Sequence, residues 1–548
     1  MRRYNFDSSA IPFDPARPPV SDDAVPLPPP RTSYDEVPYE SHPYPQAHPS
    51  RLAAVATLFG LTPPAVETAR VLELGCAAGG HLIPMAAAFP SATFVGVDLS
   101  ARQIADGRDQ VTRLGLTNIE LRHASILDVD DSYGSFDYVL CHGVFSWVPA
   151  PVQEKILAVC ARHLSPHGIG YVSYNTYPGW HMRGMIRDMM RFHAAKFAAP
   201  AERTRQARAL LDFLAESAKP GTELYPALLK KELEAVRHQA DHYLFHEHLE
   251  EVNEPLYFHQ FVDRAGAHGL RYLGEARVAT MLPGPLGPDV EKALKLLATD
   301  QVQTEQYLDF LRNRTFRETL VVHARNVPSW QIRPEPVGRL HIASGAAPVG
   351  TESPDVRSDA VVQYRGPSGV TLSTARPLLK AAMAVLADAW PATVPFAELL
   401  TQSRERCGST EGGENDARGL AAGLVDSYLG SDLIELHGVP VVAQRVAGER
   451  PVAFGPARVR AAQNRPIPTV RHELARLPDL ERRLLPLLDG TRDRAALTEV
   501  LAGEVATGRL QLERDGRPLH DPTEVRATLT AILDQALAGL ARQALLVG

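Results

Sequence analysis

Cysteine is scarce in this chain: four residues in 548, Cys76, Cys141, Cys160 and Cys407, with no CxxC pair among them. That excludes a disulfide scaffold and a zinc knuckle and suits a reducing compartment. No stretch approaches the roughly 18 uncharged apolar residues of a membrane helix, so no span is expected. Met1–Ala10 carries basic residues without an apolar run behind them, which is not the pattern of a secretory signal. No block of consecutive basic residues occurs, and the formal net charge is -7. A dedicated nucleic-acid binder would show a basic patch. The expectation is a cytoplasmic protein with no membrane span and no nucleic-acid partner.

Apolar residues are plentiful. They make up 45 % of the chain, enough for several cores, and the length suggests three or four domains at about 150 residues each. Residues 1–32 are too proline-rich to fold alone and read as a flexible tail. From His48–Phe59, an expected helix, the chain enters a regular alternation. Short apolar runs at Val71–Leu74, Thr93–Val97, Ile119–Arg122, Phe136–Cys141 and Gly168–Tyr174 are interleaved with helical stretches. Strands alternating with helices mean a parallel sheet covered on both faces. Met182–Glu250 is helical, and Leu270–Ala276 and Phe316–Ala324 are late strands expected to complete that sheet. Residues 33–195 thus read as a ligand-binding α/β domain and 196–325 as a helical domain supplying the last strands. Residues 326–376 read as a linker, with a surface loop expected at Ser403–Gly419. Helix–helix–hairpin patterns make 377–466 and 467–548 two winged-helix-like modules. In the second, helices are expected at Arg471–Leu488, Thr491–Val505 and Pro522–Leu545.

The chemistry concentrates in VLELGCAAGG, Val71–Gly80. A strand ends at Leu74, and Gly75 and Gly79 flank Cys76 before a helix begins. Glycines there allow a sharp turn and a close ligand. A dinucleotide site would read G-x-G-x-x-G; here the spacing is G-x-x-x-G, with Ala77 at the middle glycine's place. Glu73 would repel a pyrophosphate but attract the amino group of a methionine moiety. The charge therefore favours S-adenosylmethionine over NAD. Asp98, followed by Leu99 at the end of the second strand, can accept from both ribose hydroxyls. Ser125 and Ile126 after the third can meet an adenine amino group and ring face. His142 and Gly143 lie at the carboxyl edge after the fourth.

These motifs, Val71–Gly80, Phe94–Ser100 and Phe136–Val148, resemble those of class I methyltransferases. The runs Ser33–Pro49, Tyr174–His181 and Leu311–Leu320 are similar to bacterial methyltransferases with a methyltransferase regulatory domain, and size and layout resemble the rickettsial lysine methyltransferases that modify outer-membrane protein. The resemblance implies a Rossmann-like class I α/β sheet with a helical insertion and α-rich, winged-helix-like C-terminal modules. It also implies S-adenosylmethionine as cofactor, a homodimer, and cofactor roles for Glu73, Gly75, Gly79, Asp98, Ser125 and Ile126.

For the acceptor, an amine must be neutral to attack, and aromatic walls and polar groups assist that. Trp147, Asn175, Tyr177 and Trp180 gather near the fourth and fifth strand ends and are the candidate catalytic residues. Tyr34, Tyr39 and Tyr44 could close over the donor as a lid. His238, His242 and His246 are spaced four apart on one helix face, with His248 beside them. Such spacing can hold a metal, but without a cysteine or an H-E-x-x-H pattern the expectation is a packing or substrate-facing helix and no metal. The expected function is lysine N-methylation of a protein substrate. Its rivals are a small-molecule methyltransferase and a donor-sensing DNA-binding regulator without turnover.

Overall fold

The computed structural model describes residues 33–217, 224–237, 239–350, 353–409, 414–431, 433–514 and 517–548. The proline-rich tail, His238 and the side chain of Tyr34 lie outside the described residues.

Seven strands form the central sheet: β1 (Arg70–Leu74), β2 (Thr93–Asp98), β3 (Ile119–His123), β4 (Phe136–Cys141), β5 (Leu164–Asn175), β6 (Leu270–Glu275) and β7 (Phe316–His323). Their order is β3-β2-β1-β4-β5-β7-β6. β1 to β5 run parallel, and β7 lies antiparallel to both β5 and β6. The two late strands therefore do complete the sheet. Side chains of β1 alternate between two cores, Val71 on one face and Leu72 and Leu74 on the other. A strand buried on both faces must be apolar nearly throughout, so the carboxylate of Glu73 within it stands out. The order reverses between β1 and β4, which opens a crevice at the carboxyl ends of the strands.

Between β5 and β6 lie helices Gly179–Ala194, Pro200–Ser217, Leu224–Arg237 and Asp241–His248. They share a core of their own that includes Ile186, Met190, Leu211, Leu233 and Phe245. The helical body thus begins at Gly179, not at 196, because the apolar face of that first helix finds its partners in the insert.

Helix Pro49–Leu58 is buried almost all round, as a helix wedged between two cores must be. Leu52, Val55 and Phe59 join the sheet's core, while Ala54 and Leu58 join that of the middle module. This module corrects the expected linker over 326–376. Strand His341–Ala343 is the centre of its three-stranded sheet, paired with Val394–Pro395 and Glu435–His437. Val337, Leu340 and Ile342 are buried in its core. A further small sheet joins Ala347–Pro348, Val362–Arg365 and Thr371–Thr374. Composition suggested a linker because these strands are short and separated by Pro, Gly and Ser. Helices Phe396–Cys407 and Glu414–Gly430 take up most of Ser403–Gly419, where a loop was expected; residues 410–413 lie outside the described residues. In the C-terminal module the helix expected over Arg471–Leu488 is confined to Asp479–Leu484 with a following turn. Pro478 disfavours helical backbone at the residue before it, and Leu474–Ala475 pairs instead with Ile467–Pro468. Helices Arg494–Ala506 and Pro522–Arg542 complete that module.

Candidate active site

The turn after β1 is built from backbone that few side chains tolerate. Gly75, Ala77 and Gly79 all have positive φ, at 76, 50 and 70°. The amides of Gly75 and Cys76 both donate to the Val97 carbonyl, at 2.8 and 3.1 Å. The Ala77 amide donates to Asp98 Oδ2 at 2.8 Å, and that of Ser100 to Oδ1 at 2.8 Å. Asp98 thus fixes the turn while keeping lone pairs free for further donors. Glu73 is buried, and its Oε2 has no hydrogen-bond partner among the described residues. Burial, then the nearby Asp98 carboxylate, pushes Glu73 up to about 8. A buried acceptor left unsatisfied is costly and calls for a donor from outside the chain.

The segment Ser41–His48 lies across this turn as a strap. The Gly80 amide donates to Ser41 Oγ at 2.7 Å, and a Cβ on Gly80 would collide with the Ser41 backbone. The Tyr44 amide donates to His81 Nδ1 at 3.2 Å, and the Tyr44 ring lies 3.7 Å from that of His142. His142 Nδ1 is 2.8 Å from the Tyr171 hydroxyl, and burial lowers the imidazole to about 3, so the ring is neutral. Gln46 Nε2 donates to Glu318 Oε1 on β7 at 2.8 Å.

At the ends of β4 and β5, the Gly143 amide donates to Ser173 Oγ at 2.7 Å. Asn175 is buried. Its amide N–H donates to Ser146 Oγ at 2.9 Å and its Nδ2 to Asn253 Oδ1 at 3.0 Å. Trp147 and Trp180 meet edge to face at 6.0 Å. Trp180 is 2 % exposed, and its indole N–H has no partner among the described residues. Tyr177 belongs to another group, stacked on His181 at 4.1 Å and 5.3 Å from Tyr257.

The structure therefore gathers Glu73, Gly75, Cys76, Gly79, Asp98, His142 and Gly143 around one crevice. Leu99 is half exposed beside it. Ser125 closes a capping box with Asp128, its hydroxyl accepting from the Leu127 amide at 3.2 Å, and Ile126 is buried beneath. Trp147 pairs with Trp180, whereas the Asn175 amide is committed to Asn253. His242 and His246 face Tyr39, each ring at 5.9 Å, and His246 bonds Glu250 and the Val37 carbonyl. Sequence reasoning missed Ser41, Tyr171, Asn253 and Glu318. Only Glu318 carried a signal, as a carboxylate inside an apolar strand.

The strand order, the reversed last strand and the glycine turn beneath an unsatisfied carboxylate define a class I S-adenosylmethionine-dependent methyltransferase. Family models agree along the chain: "Methyltransferase domain" at residues 71–168, "Predicted methyltransferase regulatory domain" at 240–323 and "PKMT, C-terminal winged helix domain" at 449–545. An uncharacterized protein of Rickettsia prowazekii is 37 % identical over 94 % of this chain and 93 % of its own. PKMT2 from Rickettsia typhi superposes with a TM-score of 0.83 at 30 % identity, covering 93 % of this chain and 100 % of that one. Its complex with AdoHcy gives 0.82 at 31 %, with the same coverage. The chain belongs to this family of PKMT-type methyltransferases, and S-adenosylmethionine is its cofactor. Among the described residues, no helix is long and apolar enough to cross a membrane.

Proposed function

We propose that this enzyme N-methylates lysine side chains of a protein substrate. The observation that carries this reading is the whole-length likeness to a PKMT in complex with AdoHcy. In this reading Glu73 receives the donor's amino group and Asp98 its ribose hydroxyls. The strap covers the donor from the N-terminal side, and Ser125 offers its remaining lone pair to the adenine amino group. When bound, the donor supplies a methyl already activated on a sulfonium, so the chain's own task is orientation. The lysine nitrogen forms the new C–N bond as the C–S bond breaks, the electron pair stays on sulfur, and the product ammonium sheds its extra proton to solvent.

Trp147 and Trp180 form the acceptor wall. Their faces favour both the sulfonium and the methylated cation. Neutral His142 adds no positive charge that would repel the cations. Three of the four cysteines are buried as free thiols, consistent with action in a reducing cytoplasm.

The test is incubation of the purified enzyme with methyl-labelled donor and whole-cell protein, followed by mass spectrometry of the labelled peptides. Methyl-lysine in proteins is expected. Label confined to small molecules overturns the reading in favour of a biosynthetic enzyme. Donor binding without turnover, together with tight salt-sensitive DNA binding, overturns it in favour of a regulator.

A further inference from the structure

The C-terminal module reaches the donor site from behind the strap. Arg460, on helix Gly455–Ala462, is 5 % exposed. No carboxylate among the described residues lies within ion-pair distance of it. Its guanidinium donates to the Ser41 carbonyl, the residue whose hydroxyl receives the Gly80 amide. Glu40 and Asp106 act on it only from longer range; a buried cation without a direct ion pair is expensive to keep, and its hydrogen bond goes to the strap.

A second contact comes from the turn between strands Ile467–Pro468 and Leu474–Ala475. His472 has φ of 63°, a left-handed backbone that is strained for a histidine. Its Nε2 approaches His81 Nδ1 at 2.7 Å, the same nitrogen that receives the Tyr44 amide. The His472 ring also lies 4.9 Å from that of His48 at the strap's far end. The module thus holds the strap at both ends, and the strap in turn sits on the donor turn at Gly80 and on His142 through Tyr44.

We propose that Arg460 and His472 are positioning residues of the donor site: the C-terminal winged-helix module completes that site by clamping the strap Ser41–His48 onto the donor turn. The module then has a role in donor binding independent of which acceptor is methylated. Undocking of this module would loosen the strap and weaken donor affinity.

The experiment is calorimetric titration of the full-length chain with AdoHcy, which needs no acceptor. Arg460→Ala is expected to weaken AdoHcy binding by about tenfold or more, the scale of a lost charge-assisted hydrogen bond. Arg460→Lys, which keeps a donor, should recover most of the affinity. His472→Ala should weaken binding as well, and His472→Gln, which can still donate to His81 Nδ1, should recover part of it. Amide exchange of residues 39–48 should quicken in Arg460→Ala without donor. The proposal is overturned if folded Arg460→Ala and His472→Ala both bind AdoHcy within about twofold of the parent, even if their melting temperatures fall, since that outcome marks packing alone. Should Arg460→Ala fail to fold, the His472→Ala and His472→Gln pair decides by the same criterion.

Discussion

The Tyr44 ring sits 3.7 Å from the imidazole of His142 and is tilted 34° to it. This contact places an N-terminal residue directly over the carboxyl end of β4, where the donor's reactive end is expected. It also anchors the strap, whose regular structure is a single 3-10 turn at Pro45–Ala47. Tyr44→Ala should raise the donor KM by about thirtyfold, since an aromatic pair plus its buried area contributes on the order of 2 kcal/mol. Tyr44→Phe keeps the stack and should stay within about threefold of the parent. Equal loss in both variants would show that the hydroxyl, not the ring, matters.

Glu73 sets a pH dependence. Burial raises its carboxyl from 4.5 to about 8, so without ligand it is mostly protonated at pH 7. A donor amino cation favours the ionised form, so binding should release a proton near neutrality. Affinity should accordingly climb from pH 6 to about 8 and then level off. Titration in two buffers of different ionisation enthalpy measures the release, and Glu73→Gln should abolish it while weakening binding. Stability has the opposite sign. The raised folded-state value contributes stability at low pH that is lost as pH rises through about 8. The melting temperature of the parent relative to Glu73→Gln should therefore fall over that window when no donor is present.

Gly75 is required twice, by its φ of 76° and by the Val144 side chain that a Cβ would strike. Gly75→Ala should cost about 1–3 kcal/mol in a urea melt and weaken donor binding. Ala77 is the converse case. At φ of 50° an alanine is strained, and Ala77→Gly should be neutral or stabilising by up to about 1 kcal/mol. A clear loss of stability in Ala77→Gly would show that the methyl group's packing outweighs the strain.

Arg317 on β7 is fully buried among three carboxylates. It bonds Asp309 at 2.8 Å, Glu275 at 2.7 Å and Glu305 at 3.0 Å, and lies over the Phe258 ring. Arg317→Met would strand those acids in the core and should cost about 3–5 kcal/mol. Burial already holds Glu305 up at about 7, so the variant's remaining stability should improve as pH is lowered from 8 to 6. A variant that melts like the parent at pH 8 would refute this account of the β6–β7 edge.

Much of the donor half was legible because it is local. Val71–Gly80 is one strand, one turn and one helix start, and the alternation from β1 to β5 follows from apolar runs that only a sheet covered on both faces can bury. Glu73 announced itself as a charge inside such a run. The remaining partners were out of reach because their contacts are not local. Ser41 meets Gly80 across 39 residues, Asn175 meets Asn253 across 78, and Arg460 meets Ser41 across 419. Nothing in the pattern around a serine or an arginine announces a partner so far away. The linker error had a similar source. His341–Ala343 is only three residues long and becomes a strand because Val394 and Leu436 pair with it from later in the chain.

The sequence by itself determined the sheet, the donor turn and the choice of a methyl donor over a dinucleotide, since spacing, glycine and one carboxylate suffice for these. Only the tertiary structure decided what closes the site. The strap, its stack on His142 and its clamp by Arg460 and His472 exist because folding brings Ser41–His48 between the donor turn and the C-terminal module. Contacts of that kind are fixed by packing of the whole molecule and not by any local rule.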